Sequence, residues 1–375
     1  MNNIKIILSV FILVFSLETN GQTDSLQICN RYLDNAQQFF LKSNYIEGER
    51  EAFNGWELSQ KIGNELAIAR SCFLLSECER NLGKDADAFE FAIRGKLVSE
   101  GVSDVYYLAN HLSLLRVLQK MELWSAITDA DSKFNYQGMM SFGDRSEITF
   151  SRCAALQYSG HSKDGLNQLI DFETKNNSEL IKNGELNQKT ISKIVECARL
   201  SGNWTLAEKY CDKLNTQFYN KVDKMRRIRW NGWKSECLMH RKAYNEAIEF
   251  YNRSLQLCSA SDDRIRIPIL INIAECYYEM SNWVTSQQIL DQALEMSERI
   301  GDYYFQALCN VFYSAISNQK GWLNYSIEYA QNALSFAEKA NDLEMHYEMH
   351  HVLSKYQAIN GKTELALFHQ QEASK

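Results

Sequence analysis

A small residue returns along this chain at Gly48, Ala88, Ala126, Gly165, Ala207, Ala247, Ser286, Ser326 and Ala366, at spacings of 38 to 42 residues. Each member of that column is Gly, Ala or Ser. A second column lies twelve residues upstream, at Ala36, Ser76, Leu114, Cys153, Val195, Ser235, Ala274, Ser314 and Ser354, and seven of its nine members are no larger than Cys. Self-similarity at such a period is the mark of a stacked supersecondary unit. Two small columns twelve apart have a mechanical meaning: they fall on the two antiparallel helices of a hairpin, where short side chains let the backbones approach closely. A hairpin of this size cannot bury its apolar face alone, so its neighbours must supply the core.

The helical reading rests on local spacing. In "AYNEAIEFYNRSL", Tyr244, Ala247, Tyr251 and Ser254 are 3, 4 and 3 residues apart and draw one helical stripe. Similar stretches begin at Gly202, Ser281 and Gly321, whereas "KMELWSAITDADS" and "GHSKDGLNQLIDF" are weaker copies. Pro268 is the sole proline, so little in the sequence interrupts helices. Gly83, Gly160, Gly202, Gly321 and Gly361 sit between paired helices, where glycine ends a helix in a left-handed cap. Three residues before the first column a bulky group recurs, at Tyr45, Leu123, Trp204, Tyr244, Trp283 and Leu323, and is expected to wedge the second helix against the first.

The first residues differ from the rest. Lys5 precedes an apolar run from Ile6 to Leu17, and Thr19 and Gly21 follow. Residues 1–21 read as a signal peptide, the run being short for a bilayer span of roughly 20 residues. The expected mature protein is one helical-repeat domain over residues 22–375, exported to the periplasm or beyond the cell. A net charge of −7 argues against a nucleic-acid surface. Ten cysteines in an exported chain raise the question of disulfides. Cys78, Cys197, Cys237 and Cys276 share one position of four first helices, too far apart between neighbours for bridging; the favoured reading is small core residues, with a Cys197–Cys211 bridge as the alternative.

The two small columns and the bulky residue before the first resemble the tetratricopeptide repeat over about residues 26 to 375. The period near 40 is longer than that family's usual one, and its closing proline is absent. The resemblance implies an all-α, right-handed superhelical solenoid of about nine helix-turn-helix repeats. It also implies a concave groove lined by the first helix of each hairpin, with Arg70, Phe73, Glu77 and Arg80 in copy two; Lys189, Glu196 and Arg199 in copy five; Arg229, Glu236, Met239 and His240 in copy six; and Ile271, Glu275 and Tyr278 in copy seven. Glu196, Glu236 and Glu275 form a row. Where some members of the family hold a terminal carboxylate with asparagine, this chain has glutamate or apolar residues, which argues against that ligand.

No catalytic motif is present. "EMHYEMHH" places His346 and His350 on one helix face but lacks the glutamate spacing of a zinc protease, and His350 occupies a core position; His111, His161, His240 and His369 read as isolated. No metal or cofactor is expected. The functional expectation is a non-enzymatic exported scaffold that binds a protein or peptide, with association through an uncapped C-terminal end a further prospect. A periplasmic sensor component acting through a partner is the alternative.

Overall fold

The computed structural model describes residues 23–136 and 140–374, so the segment read as a signal peptide lies outside it. The described residues form nineteen α-helices and one short 3₁₀ turn at Tyr219–Lys221, with no strand among them. They belong to two compact units that divide at Gly202.

The first unit holds α1 (Thr23–Leu41), α2 (Tyr45–Ile62), α3 (Glu65–Leu82), α4 (Asp85–Ser99), α5 (Asp104–Lys120), α6 (Trp124–Ser132), α7 (Phe142–Tyr158), α8 (Ser162–Lys175), the short α9 (Asn177–Lys182) and α10 (Gly184–Leu200). The second holds α11 (Trp204–Gln217), α12 (Lys224–His240), α13 (Tyr244–Leu257), α14 (Asp263–Glu279), α15 (Trp283–Ile300), α16 (Tyr303–Gln319), α17 (Leu323–Ala340), α18 (Leu343–Ile359) and α19 (Thr363–Glu372). Among them no helix is long and apolar enough to cross a membrane.

Within each unit both small columns land where the period places them, one on each helix of a hairpin. Their members touch directly: the hydroxyls of Ser76, Ser235 and Ser314 donate to the carbonyls of Ala88, Ala247 and Ser326 at 2.8, 3.0 and 2.8 Å, and Ser286 donates back to Ala274 at 2.8 Å. Here the small side chain both permits the approach and satisfies a carbonyl across it. In the first unit glycine brings the backbones closer still. A Cβ on Gly165 would stand 3.0 Å from the carbonyl oxygen of Cys153, its partner in the other column.

Each helix starts and stops for local reasons. Asn64, Ser103, Asn183, Asp223, Asp302 and Asp342 cap helix N-termini through their side chains, and Ser141 with Asp144 forms a reciprocal capping box. Within the hairpins the five expected glycines have φ between 73° and 82°. The other four hairpins turn through Ser43, Glu122, Lys242 and Ser281 at φ of 57° to 60°, a conformation that costs an L-residue energy.

Stacking then closes the core. Leu33, Ala36, Ala52 and Leu75 pack together in the first unit, and Ile267, Leu270, Leu290, Tyr313 and Ile316 in the second. Nine of the ten cysteines are buried within these layers. Burial pushes the thiols of Cys72, Cys153 and Cys309 up to about 12, and Cys197 is a thiol that donates to Gln157 Oε1 at 3.2 Å, so the alternative bridge to Cys211 is not formed. The bulky residue opening each second helix does more than wedge its own hairpin. Tyr45 packs on Phe40 of its partner helix, but Trp204 stacks on His240 at 3.6 Å and Tyr244 donates to Glu279 at 3.3 Å, both on the next first helix.

Candidate functional site

The first helices carry the residues expected to meet a partner, and the two units use them differently. In the first unit α3 contributes Glu77, which is only 2% exposed. Its carboxylate accepts from Arg80 at 2.9 Å, from the Ser113 hydroxyl at 2.7 Å and from Arg116 at 3.2 Å. Arg116, on α5, also holds Glu147 of α7 through a two-pronged contact, its Nη2 at 2.8 Å from Oε2. A bidentate guanidinium suits a carboxylate on each side.

Burial alone would raise the Glu77 carboxyl, but the Arg116 and Arg80 guanidiniums and the Ser113 hydroxyl outweigh it and hold the group at about 2. Glu77 is therefore ionised and sealed inside the stack, away from any ligand. Arg70 is likewise engaged, donating to Asp34 at 2.7 Å and Gln37 at 2.8 Å on α1. Glu196 on α10 pairs with Lys193 one turn back at 2.8 Å, both partly exposed, and Arg199 is half-buried.

In the second unit Arg229 is exposed at the start of α12, two turns before Glu236, while Glu236 and Glu275 are half-buried on α12 and α14. Burial raises the Glu275 carboxyl, and the nearby carboxylates of Glu279 and Glu236 push it further. Among the described residues Glu275 makes no ion pair. Tyr278 follows it, edge-on to Phe312 at 6.3 Å and accepting from Gln319 at 3.3 Å. The structure thus gathers Glu236, Glu275 and Tyr278 on one first-helix face, and gathers Glu77 and Arg80 into an internal network.

Sequence reasoning missed Arg116 and Glu147. Arg116 did leave a signal: it stands inside "LSLLRVLQ", an apolar run whose charged member must find a partner on burial. It also misread His369, which is bonded to His350, Nδ1 to Nδ1 at 2.9 Å, across the last hairpin. Among the described residues no group of three or more His, Cys, Asp or Glu is placed to hold a metal ion. The last helix, α19, leaves Leu365, Leu367 and Phe368 exposed.

Comparison with known proteins adds to this geometry. Residues 227–299, spanning most of α12 to α15, match the tetratricopeptide repeat family model. A search of curated proteins finds no match. Among solved structures, the apo form of RapI is 12% identical, with 92% of this chain and 96% of that one covered at a TM-score of 0.67. The apo form of the quorum sensor NprR from B. thuringiensis is 12% identical over 94% of this chain and 98% of that one, at 0.62. NprR in complex with its cognate peptide NprX is 12% identical over 95% and 98%, at 0.51. At such identity the likeness is one of fold.

Proposed function

We propose that this chain, a tetratricopeptide-repeat protein, is a non-enzymatic scaffold that binds a peptide or an extended protein segment along the first-helix face of its second unit. The observation that carries this reading is Glu275. A half-buried carboxylate set among two others costs stability, whereas the buried Glu77 is answered by two guanidiniums. A lysine or arginine of a bound segment would offset that cost through a charge-assisted hydrogen bond. Tyr278 beside it supplies an amphipathic ring that contributes contact area without a large loss of side-chain freedom. That a protein of this fold, NprR, has been solved with its cognate peptide supports a peptide as the ligand class.

Export belongs to the same proposal, and rests on Lys5, the apolar run Ile6–Leu17 and the small residue Gly21. N-terminal sequencing of protein recovered from the native cell tests it: a mature chain beginning near Gln22 supports export, and an intact Met1 refutes it. For binding, the test is crosslinked capture from an envelope extract by residues 22–375 beside a variant carrying Glu196→Lys, Glu236→Lys and Glu275→Lys. A partner held by the first and lost by the folded second places the working surface on these helices. Equal capture by both moves it elsewhere.

A further inference from the structure

Copy eight places two exposed aromatic rings at positions where several siblings hold a helix cap or a first-turn acid. The residue just before the second helix is an N-cap. In copies five and seven it is Asn203 and Asn282, whose side chains accept from the backbone N–H of Leu206 and Thr285. Three residues on, copies one, two, four and six place Glu47, Asp87, Asp164 and Glu246 in the first turn, where a carboxylate interacts favourably with the helix dipole. Copy eight has Trp322 and Tyr325 instead, with no side-chain cap and no acidic residue in the first turn of α17. Copy three likewise lacks both at α6, so it is the exposed aromatic pair and not the bare helix start that sets copy eight apart.

No gain in packing is visible. Trp322 and Tyr325 are 52% and 57% exposed, with ring centroids 6.3 Å apart in an edge-to-face pair. They border an open cleft of about 760 Å³ that Tyr329, Gln287, Asn324 and Asn360 also line. No lining side chain is charged. At its margin the Lys320 ammonium is taken up by Gln287 Oε1 at 2.7 Å and lies 4.8 Å over the Trp322 ring.

Chemistry narrows the occupant. An ion brought into an uncharged cleft would lose hydration without a counter-charge. A wholly apolar ligand would cover the carboxamides and leave their donors and acceptors unmet. A neutral polyhydroxylated ligand meets both demands: each carboxamide offers donors and an acceptor side by side for neighbouring hydroxyls, and exposed ring faces accept the C–H face of a pyranose. We infer that this cleft binds a neutral saccharide, at a site separate from the first-helix face.

Isothermal titration of the full chain with maltohexaose, cellohexaose, xylohexaose, chitohexaose and an end-capped Gly-Ser peptide tests the inference. The expected result is saturable binding of at least one saccharide and none of the peptide. The double variant Trp322→Asn with Tyr325→Glu, which installs residues that sibling copies carry, should weaken that binding at least about tenfold while its thermal midpoint holds or rises. Glu236→Lys with Glu275→Lys should leave it unchanged, which separates this site from the peptide reading. The inference is overturned if no saccharide binds, if only the peptide binds, or if the Asn/Glu variant binds as the parent does.

Discussion

Glu77, on a first helix of one unit, and Glu275, on a first helix of the other, meet opposite surroundings. In the first, Glu77 is wholly enclosed and answered by Arg80, Arg116 and the Ser113 hydroxyl, and Arg116 carries the same neutralisation on to Glu147. In the second, Glu275 is left partly open and surrounded by its own kind. An enclosed charge must be paired to be tolerated, whereas a half-open one can await a partner. One pattern of helices thus serves as internal bracing in one unit and as a receptive face in the other.

The sharpest way to break that contrast is Arg116→Met. It removes the guanidinium that Glu77 and Glu147 share, leaving Glu77 with Arg80 and Ser113, and should cost about 2–3 kcal/mol, read as lost amide protection in α3, α5 and α7. Adding Glu77→Met should recover much of it. The Glu77 carboxyl is depressed from 4.5 to about 2 in the fold, so its stabilisation is complete above pH 4.5 and disappears as pH falls toward 2. Acid titration of the parent and of Glu77→Gln should converge at the low end. Parallel curves would show that the network does not brace the unit.

The next effect belongs to the last hairpin. His350 and His369 share one hydrogen bond while 5% and 8% exposed, and burial lowers both, with His346 and His369 adding to the effect at His350 and Glu338 and Glu372 opposing it. Two cationic imidazoles cannot share that bond. A lowered histidine loses stability as pH falls below its unfolded value of about 6.5. Amide protection of α19 should therefore drop severalfold between about pH 7.5 and about pH 5.5, and His369→Gln should flatten that dependence. Protection in α5, far from these groups in sequence, serves as the control.

Glu275→Gln should move stability the other way from Glu77→Gln. The raised carboxyl stabilises the fold only while protonated, a contribution present below its unfolded value and lost as pH rises through the folded one. At neutral pH its neutral replacement should raise the thermal midpoint slightly, and a fall would contradict the contrast between units. The smallest effect is at Ser281, left-handed at φ 59°. Ser281→Gly should stabilise the hairpin by about 0.5–1 kcal/mol, the relief of the left-handed cost less glycine's extra unfolded entropy.

Much of the fold was legible because one physical demand, close approach of two helices, selects small residues twelve apart in seven of the nine copies. The glycine turns were legible for a similar reason. Ser43, Glu122, Lys242 and Ser281 adopt the same left-handed turn without announcing it, since the neighbouring hairpin imposes the conformation rather than the residue favouring it. The site was legible only as helix faces. Whether a glutamate on that face is sealed or open depends on what the next hairpins place against it, as Arg116 does for Glu77 across 39 residues and nothing comparable does for Glu275. The His350–His369 bond spans a hairpin and was hidden for the same reason.

The most direct measurement is a charge exchange on Glu275. Short random-sequence peptides are selected by display on residues 22–375, and the affinity of the best is measured against the parent and against Glu275→Lys. Selected peptides should carry a lysine or arginine, bind the variant at least about tenfold more weakly, and regain affinity when that basic residue is changed to glutamate. Affinity unaffected by Glu275→Lys, or a selected peptide without a basic residue, would contradict the assignment of the second unit's first-helix face as the binding surface.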